Sequence, residues 1–377
     1  KSMLMEQTKI LLFGGSYNPI HKGHINAALN ASNYLQCQEV WFIPRKYNYD
    51  GSLLLDGKHR IAMMKMALAE FPNFKICDIE LKDRNKKLIY TYNTARLLTK
   101  KYKNQYQFYF LIGADQLNNI ERWYKIGQLT KLFQFVCFKR PGYIINEKLA
   151  QKYHILIIDG KQIDASSTKV RAGYYDEIDE SIQQYIKEHE LYLKERLMPH
   201  LPEKLFIHCL STARLAKALA QKNQQNTNRA YVAGILHDVS KALPKDEIRQ
   251  IMEQHFPTKL KKPEYCHHQY ASAYLAKTIY GISDVKTLKA IASHCRSSKK
   301  MSKLDKIIYC ADKLEEEREF ANAVADIRKE AYQNIDKAFI WTMEDQYRYL
   351  KNSQKWIDPW LVLMIDYYKR KEKDNGR

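Results

Sequence analysis

The sequence predicts an α/β doubly wound parallel sheet followed by an all-α domain, and three observations carry that expectation. Short apolar runs of strand length alternate with helical patterns as far as residue 158. The strand signal vanishes after Val170. A breaker-rich stretch, Met198-Pro199-His200-Leu201-Pro202, separates the two regimes. The 377 residues, 45% of them hydrophobic, suffice for about two cores. The expected units are residues 3–196 and 203–377.

Each element follows from local pattern. Lys9 to Phe13 reads as a buried strand ending on Gly14 and Gly15, and His24 to Tyr34 as a helix. Val40 to Ile43, Phe74 to Ile79, Phe108 to Ile112, Gln134 to Phe138 and His154 to Ile158 read as further strands. Arg60 to Glu70 and Tyr92 to Tyr102 are helices between them. Ser181 to Arg196 reads as one helix. Beyond Glu203 helices are expected over Lys204 to Gln221, Arg229 to Lys241, Ala271 to Tyr280, Val285 to Ser293 and Lys303 to Glu316.

Composition narrows the function classes. No apolar run reaches the roughly 18 to 20 residues of a membrane span, so no membrane partner is expected. Seven scattered cysteines without a Cys-x-x-Cys pair fit a reducing cytoplasm. The formal charge of +20 is spread along the chain rather than concentrated. So spread, it reads as a genome-wide compositional bias and no nucleic-acid partner is expected; a basic protein that holds polyphosphates would carry the same sign of charge. Nothing in the sequence fixes the oligomeric state.

The first candidate site is Phe13-Gly14-Gly15-Ser16-Tyr17-Asn18-Pro19-Ile20-His21-Lys22-Gly23-His24. Glycines at a strand end let backbone approach a phosphate closely. His21 and His24 lie three apart at a helix start, where unpaired N–H groups and the dipole favour an anion. A second stretch, Ala165-Ser166-Ser167-Thr168-Lys169-Val170-Arg171, offers capping hydroxyls and a guanidinium one turn later.

Together these motifs resemble the nucleotidyltransferase superfamily with the HIGH-type signature, a Rossmann-like fold, and within it bacterial nicotinate-nucleotide adenylyltransferase. Gly113-Ala114-Asp115, Trp123-Tyr124-Lys125, Phe138-Lys139-Arg140-Pro141-Gly142 and Tyr90-Thr91-Tyr92-Asn93-Thr94 extend the match. The resemblance implies attack by nicotinate mononucleotide on the α-phosphorus of ATP, with Mg²⁺ accompanying ATP. It assigns Gly14, Gly15, Ser16, His21, His24, Ser167, Thr168 and Arg171 to the ATP-phosphate cradle. Asp115 goes to ribose hydroxyls, Trp123 to the pyridine ring and Thr91 to its carboxylate. Asn18 and Asn93 stand where the family more often has Asp. Arg45 and Lys46 are the two stand-ins for a basic residue that usually follows the second strand.

The second candidate site is spread over the helical half: His208, His237-Asp238, His268, His294 and Asp312. A carboxylate on a buried-looking stretch costs several kcal/mol unless it is paired or bound to a cation. Four His and two Asp form a mixed N/O donor set suited to Fe, Mn, Co or Zn, and six ligands fit a pair of ions. Lys241 lies one turn beyond His237.

The order H…HD…H…H…D resembles the HD phosphohydrolase superfamily, and YqeK-like HD proteins within it. The resemblance implies a dinuclear centre of iron type and symmetrical cleavage of diadenosine tetraphosphate into two ADP. Asp238 and Lys241 take the catalytic roles. The family's Gly-Arg pair after the fifth ligand is replaced by Cys295-Arg296-Ser297-Ser298-Lys299, so Arg296 or Lys299 would meet substrate. Alternatives stay open: another acceptor such as pantetheine phosphate or a cytidylyl acceptor for the first half; other nucleotides, or a regulatory or RNA-binding role, for the second.

Overall fold

The computed structural model describes residues 7–48, 50–51, 54–84, 88–139, 142–161, 163–317 and 323–375. Six parallel strands form one sheet: β1 (Thr8–Gly15), β2 (Glu39–Pro44), β3 (Phe74–Ile76), β4 (Tyr106–Gly113), β5 (Gln134–Phe138) and β6 (Leu156–Ile158). Their spatial order is β3-β2-β1-β4-β5-β6. Leu12 pairs with Trp41 on one side and with Phe110 on the other. Ile10, Leu11 and Leu12 are wholly buried, as a strand covered on both faces must be. The chain winds outward in both directions from β1 and β4. A crevice therefore opens where Gly15 and Gly113 end those two strands.

The predicted strands and helices recur with trimmed ends. β3 stops at Ile76 rather than Ile79, and β6 begins at Leu156 rather than His154. The single helix expected over Ser181 to Arg196 is instead two, Glu180–Glu188 and Leu193–Leu197. Glu190 and Tyr192 adopt φ of 53° and 58°, a left-handed conformation no helix continues through. The Leu191 amide meanwhile closes onto the Ile186 carbonyl at 2.9 Å.

The chain divides into two compact units, Lys1–Tyr185 and Ile186–Arg377. In the second, Leu193, Leu197 and Leu201 join a helical core with Cys209, Ile235, Ile307 and Phe339. The helices Glu203–Lys222 and Thr227–Leu236 cross where Gly234 faces Ala213. A methyl on Gly234 would lie 2.7 Å from the Ala213 Cα, so only glycine permits this approach. The helix expected over Arg229 to Lys241 ends at Leu236, and a short 3-10 turn, Val239–Ala242, follows His237-Asp238. The remaining helices of this unit include His267–Thr278, Val285–Ile291, Lys303–Leu314, Ile335–Asn352 and Pro359–Asn375. All seven cysteines are free thiols. Among the described residues no helix is long and apolar enough to cross a membrane.

Candidate functional sites

At the end of β1, Ser16 gives its carbonyl to the buried Arg60 guanidinium at 2.8 Å, which fixes the loop beyond the glycines. The helix Lys22–Leu35 begins there with its two histidines. The His21 and His24 rings stack with centroids 3.7 Å apart. Gly23 makes that possible, because a Cβ there would fall 2.9 Å from the His21 ring. The His21 amide donates to Nδ1 of His24 at 3.1 Å, so the neutral His24 ring carries its proton on Nε2. From the far end of the unit, Ser167 Oγ donates to the Pro19 carbonyl at 2.8 Å and Arg171 to the Asn18 carbonyl at 2.8 Å. Arg171 also reaches Thr168 Oγ1 at 3.3 Å. The two predicted motifs thus meet across the sheet edge.

A cavity of about 220 Å³ lies in the crevice, lined by Gly14, Gly15, Ser16, His24, Arg45 and Asp115. Ser167, Thr168 and Arg171 hold the adjacent loop and do not line it. A larger cavity of about 540 Å³ shares Arg45, Asp115 and Gln116 with the first and adds Thr91 and Trp123. Trp123 packs edge-on against Phe110 and Phe135. Of the two basic stand-ins, Arg45 faces both cavities, whereas Lys46 is tied to the Asp83 carbonyl at 2.6 Å. Asn93 is exposed on the first turn of its helix. Arg140 and Pro141 lie outside the described residues. The larger cavity also contains Glu80, which sequence reasoning missed. Burial pushes its carboxyl upward, although Thr94 Oγ1 donates to it at 2.7 Å.

In the helical unit all six predicted ligands converge. His208, His237, Asp238 and Asp312 form one set; Asp238, His268 and His294 form a second. Asp238 belongs to both. Its Oδ2 lies 3.5 Å from His208 and 3.3 Å from His237, while its Oδ1 lies 3.3 Å from His268 and 3.1 Å from His294. The Nε2 atoms of His208 and His237 are 3.1 Å apart, as are those of His268 and His294.

The donor set fits cations. Atoms bound about 2.1 Å from one ion stand roughly 3.0–3.4 Å apart, close to the spacings here. Every imidazole is also oriented from behind. Nδ1 of His237, His268 and His294 meets the Gly234, Tyr265 and Ile291 carbonyls at 2.7, 2.9 and 2.7 Å. Nδ1 of His208 meets Glu315 Oε1 at 3.1 Å. Each Nδ1–H is thereby committed and each Nε2 lone pair is turned to the cluster, as metal-bound histidines require. The electrostatics agree. Burial alone would raise the Asp238 carboxyl, yet the imidazoles around it, His237 first, hold it well below the usual carboxylate range. Burial would lower His208, but Asp238, Asp312 and Glu315 raise it to about 10. The carboxylates likewise raise His237 and His268 against their burial, whereas burial, with the neighbouring His237 and His268, lowers His294 to about 4.

Lys241 places Nζ 2.7 Å from Asp238 Oδ2, and Lys313, also missed from sequence, places Nζ 3.2 Å from Asp312 Oδ2. A cavity of about 360 Å³ is lined by Lys241, His268, Asp312 and Lys313. A neighbouring one of about 300 Å³ is lined by Arg296, Tyr265 and Trp360. Lys299, the other substitute for the family arginine, instead lies over the Tyr367 ring.

Fold and site thus define the class: a Rossmann-like sheet with a glycine-lined crevice, followed by a helical unit whose His/Asp cluster, sharing one carboxylate, suits divalent metal. Residues 12–173 match the cytidylyltransferase-like family model and residues 205–317 the HD domain model. A "Probable nicotinate-nucleotide adenylyltransferase/Ap4A hydrolase" of Mycoplasma genitalium is 33% identical over 359 residues, spanning 92% of this chain and 99% of that one. The protein of the same description in Mycoplasma pneumoniae is 33% identical over 307 residues, spanning 81% and 88%. The nicotinate-nucleotide adenylyltransferase of Bacillus subtilis is 32% identical over 195 residues, 49% of this chain and 98% of that one. The chain belongs to the two-headed family of the Mycoplasma proteins.

Proposed function

We propose that the chain is a bifunctional enzyme of the cytoplasm. Its first head joins ATP and nicotinate mononucleotide to give deamido-NAD and pyrophosphate. Its second cleaves diadenosine tetraphosphate to two ADP. In this reading the heads occupy residues 3–196 and 203–377.

The transferase reading rests on two contiguous cavities that share Arg45, Asp115 and Gln116, one at the glycine strand end and one walled by Trp123 and Thr91. ATP, arriving with Mg²⁺, lays its phosphates on Gly14, Gly15 and Ser16. His24, with His21 stacked on it, holds the oxygens that gain charge as the mononucleotide phosphate attacks the α-phosphorus, while Arg171, Ser167 and Thr168 brace the loop that carries the two histidines. Pyrophosphate leaves. No protein nucleophile takes part, so rate comes from positioning and charge stabilisation. Asp115 takes ribose hydroxyls, Trp123 stacks on the pyridine ring, Thr91 holds its carboxylate, and Arg45 stands between the two substrates.

The hydrolase reading rests on Asp238, whose two oxygens serve two ligand sets. His208, His237, Asp238 and Asp312 would hold one cation, and Asp238, His268 and His294 a second. Iron is the first choice, with manganese, cobalt and zinc suited to the same donors. Two such cations would acidify a water molecule and neutralise phosphate oxygens. Lys241 holds one phosphate oxygen and Arg296 meets the substrate beyond it.

Mass spectrometry of products tests both heads: ATP with nicotinate mononucleotide in one reaction, diadenosine tetraphosphate in the other. Absence of deamido-NAD in the first, or of ADP in the second, removes that head.

A further inference from the structure

The cavity of about 300 Å³ beside the His/Asp cluster contains Arg296, already given to the substrate, but no part of the substrate has yet been placed in it. It adjoins the cavity that contains His268 and Asp312, because Cys295, Gln346 and Leu350 line both. Its walls are also tied to the ligands through the backbone. Tyr265 gives its carbonyl to Nδ1 of His268, and Arg296 follows His294 by two residues.

The polar groups in these walls are mostly spent on one another. Asp358 accepts from Arg296 Nε at 2.7 Å and from the Tyr265 hydroxyl at 2.8 Å. Trp360 donates its indole N–H to the Ser297 carbonyl at 2.8 Å, and the Arg296 guanidinium lies 4.9 Å over its ring. What the walls offer an occupant is aromatic surface. Trp356 is 63% exposed and Tyr265 44%, with ring centroids 6.2 Å apart. Two large rings left in water beside a polyphosphate-sized cleft suit a planar, amphipathic ligand joined to phosphate.

We propose that this cavity seats a nucleobase of the hydrolase substrate against Trp356 and Tyr265 while the attached phosphates lie on the metal cluster. The proposal rests on the hydrolase reading for its substrate. Arg296, whose terminal nitrogens make no hydrogen bond among the described residues, stands where base and phosphate chain meet. Stacking carries no base-specific readout, so the cavity accepts nucleotides as a class.

The test uses the full metal-loaded chain. Adenosine 5′-diphosphate is titrated while tryptophan fluorescence is followed, and the change lost in Trp356→Phe is taken as the signal from this cavity. Trp356→Ala is expected to weaken inhibition of hydrolysis by ADP about tenfold or more. Inhibition by tripolyphosphate, which has no base, should stay within twofold. Trp356→Phe should restore ADP inhibition. A fluorescence response to ADP identical in wild type and Trp356→Phe, together with unchanged ADP inhibition in Trp356→Ala, would overturn the proposal and leave the hydrolase standing. A Trp356-dependent response in a chain that does not cleave diadenosine tetraphosphate would remove the hydrolase reading and keep the pocket.

Discussion

Glu315 lies 3.1 Å from Nδ1 of His208, three residues past the ligand Asp312, and so orients an imidazole on a different helix. Carboxylates behind metal-bound histidines fix the ring and raise its basicity. Glu315→Gln should weaken metal retention by about 10- to 100-fold. Dialysis against a graded chelator, with metal counted by mass spectrometry, reads this directly. Retention equal to wild type would assign Glu315 to packing alone.

Asp238→Ala removes the only carboxylate common to both ligand sets. Metal content should fall to background and diadenosine tetraphosphate hydrolysis with it, while adenylyl transfer persists. His24→Ala should do the reverse, cutting transfer by about 10²- to 10³-fold with hydrolysis intact. If either variant silences both reactions, the two-site scheme is wrong.

Arg45 and Lys46 should separate cleanly. Arg45→Ala removes the cation common to both cavities of the first unit, and transfer should fall at least about tenfold. Lys46→Ala removes a side chain bound to the Asp83 carbonyl rather than lining either cavity, and transfer should stay within about twofold. Steady-state rates with ATP and nicotinate mononucleotide decide it. Equal losses would contradict the assignment of Arg45.

Gly234→Val tests the helix crossing. The first added carbon would already lie 2.7 Å from the Ala213 backbone, so the helices must part. The cost should be about 1–3 kcal/mol, seen as a lower melting temperature of the second unit. Because the Gly234 carbonyl also orients His237, metal retention should drop with it. A variant as stable as wild type would show that the crossing has slack.

Much of this was legible in the sequence. The strands announced themselves as runs buried on both faces, such as Ile10 to Leu12, and the six clustered His and Asp residues as polar positions on apolar helices or just past their ends. What escaped notice needed the third dimension. Glu315 reads as one acid in a run of three, Glu315 to Glu317, until His208 is seen to face it. Glu190 and Tyr192 break a helix without glycine or proline, leaving nothing for a pattern to register. The aromatic cavity draws Tyr265, Trp356 and Trp360 from segments some ninety residues apart, a distance no local motif bridges.

The bond from Ser167 to Pro19 spans 148 positions, almost the full length of the sheet unit. Early and late segments of the chain must therefore find one another before this loop is fastened, a contact of high sequence separation. A polypeptide released before residue 167 could pair its strands yet leave the loop at Asn18 and Pro19 without its fastening. The loop leading into His21 and His24 is thus fastened only in a chain synthesised past Arg171.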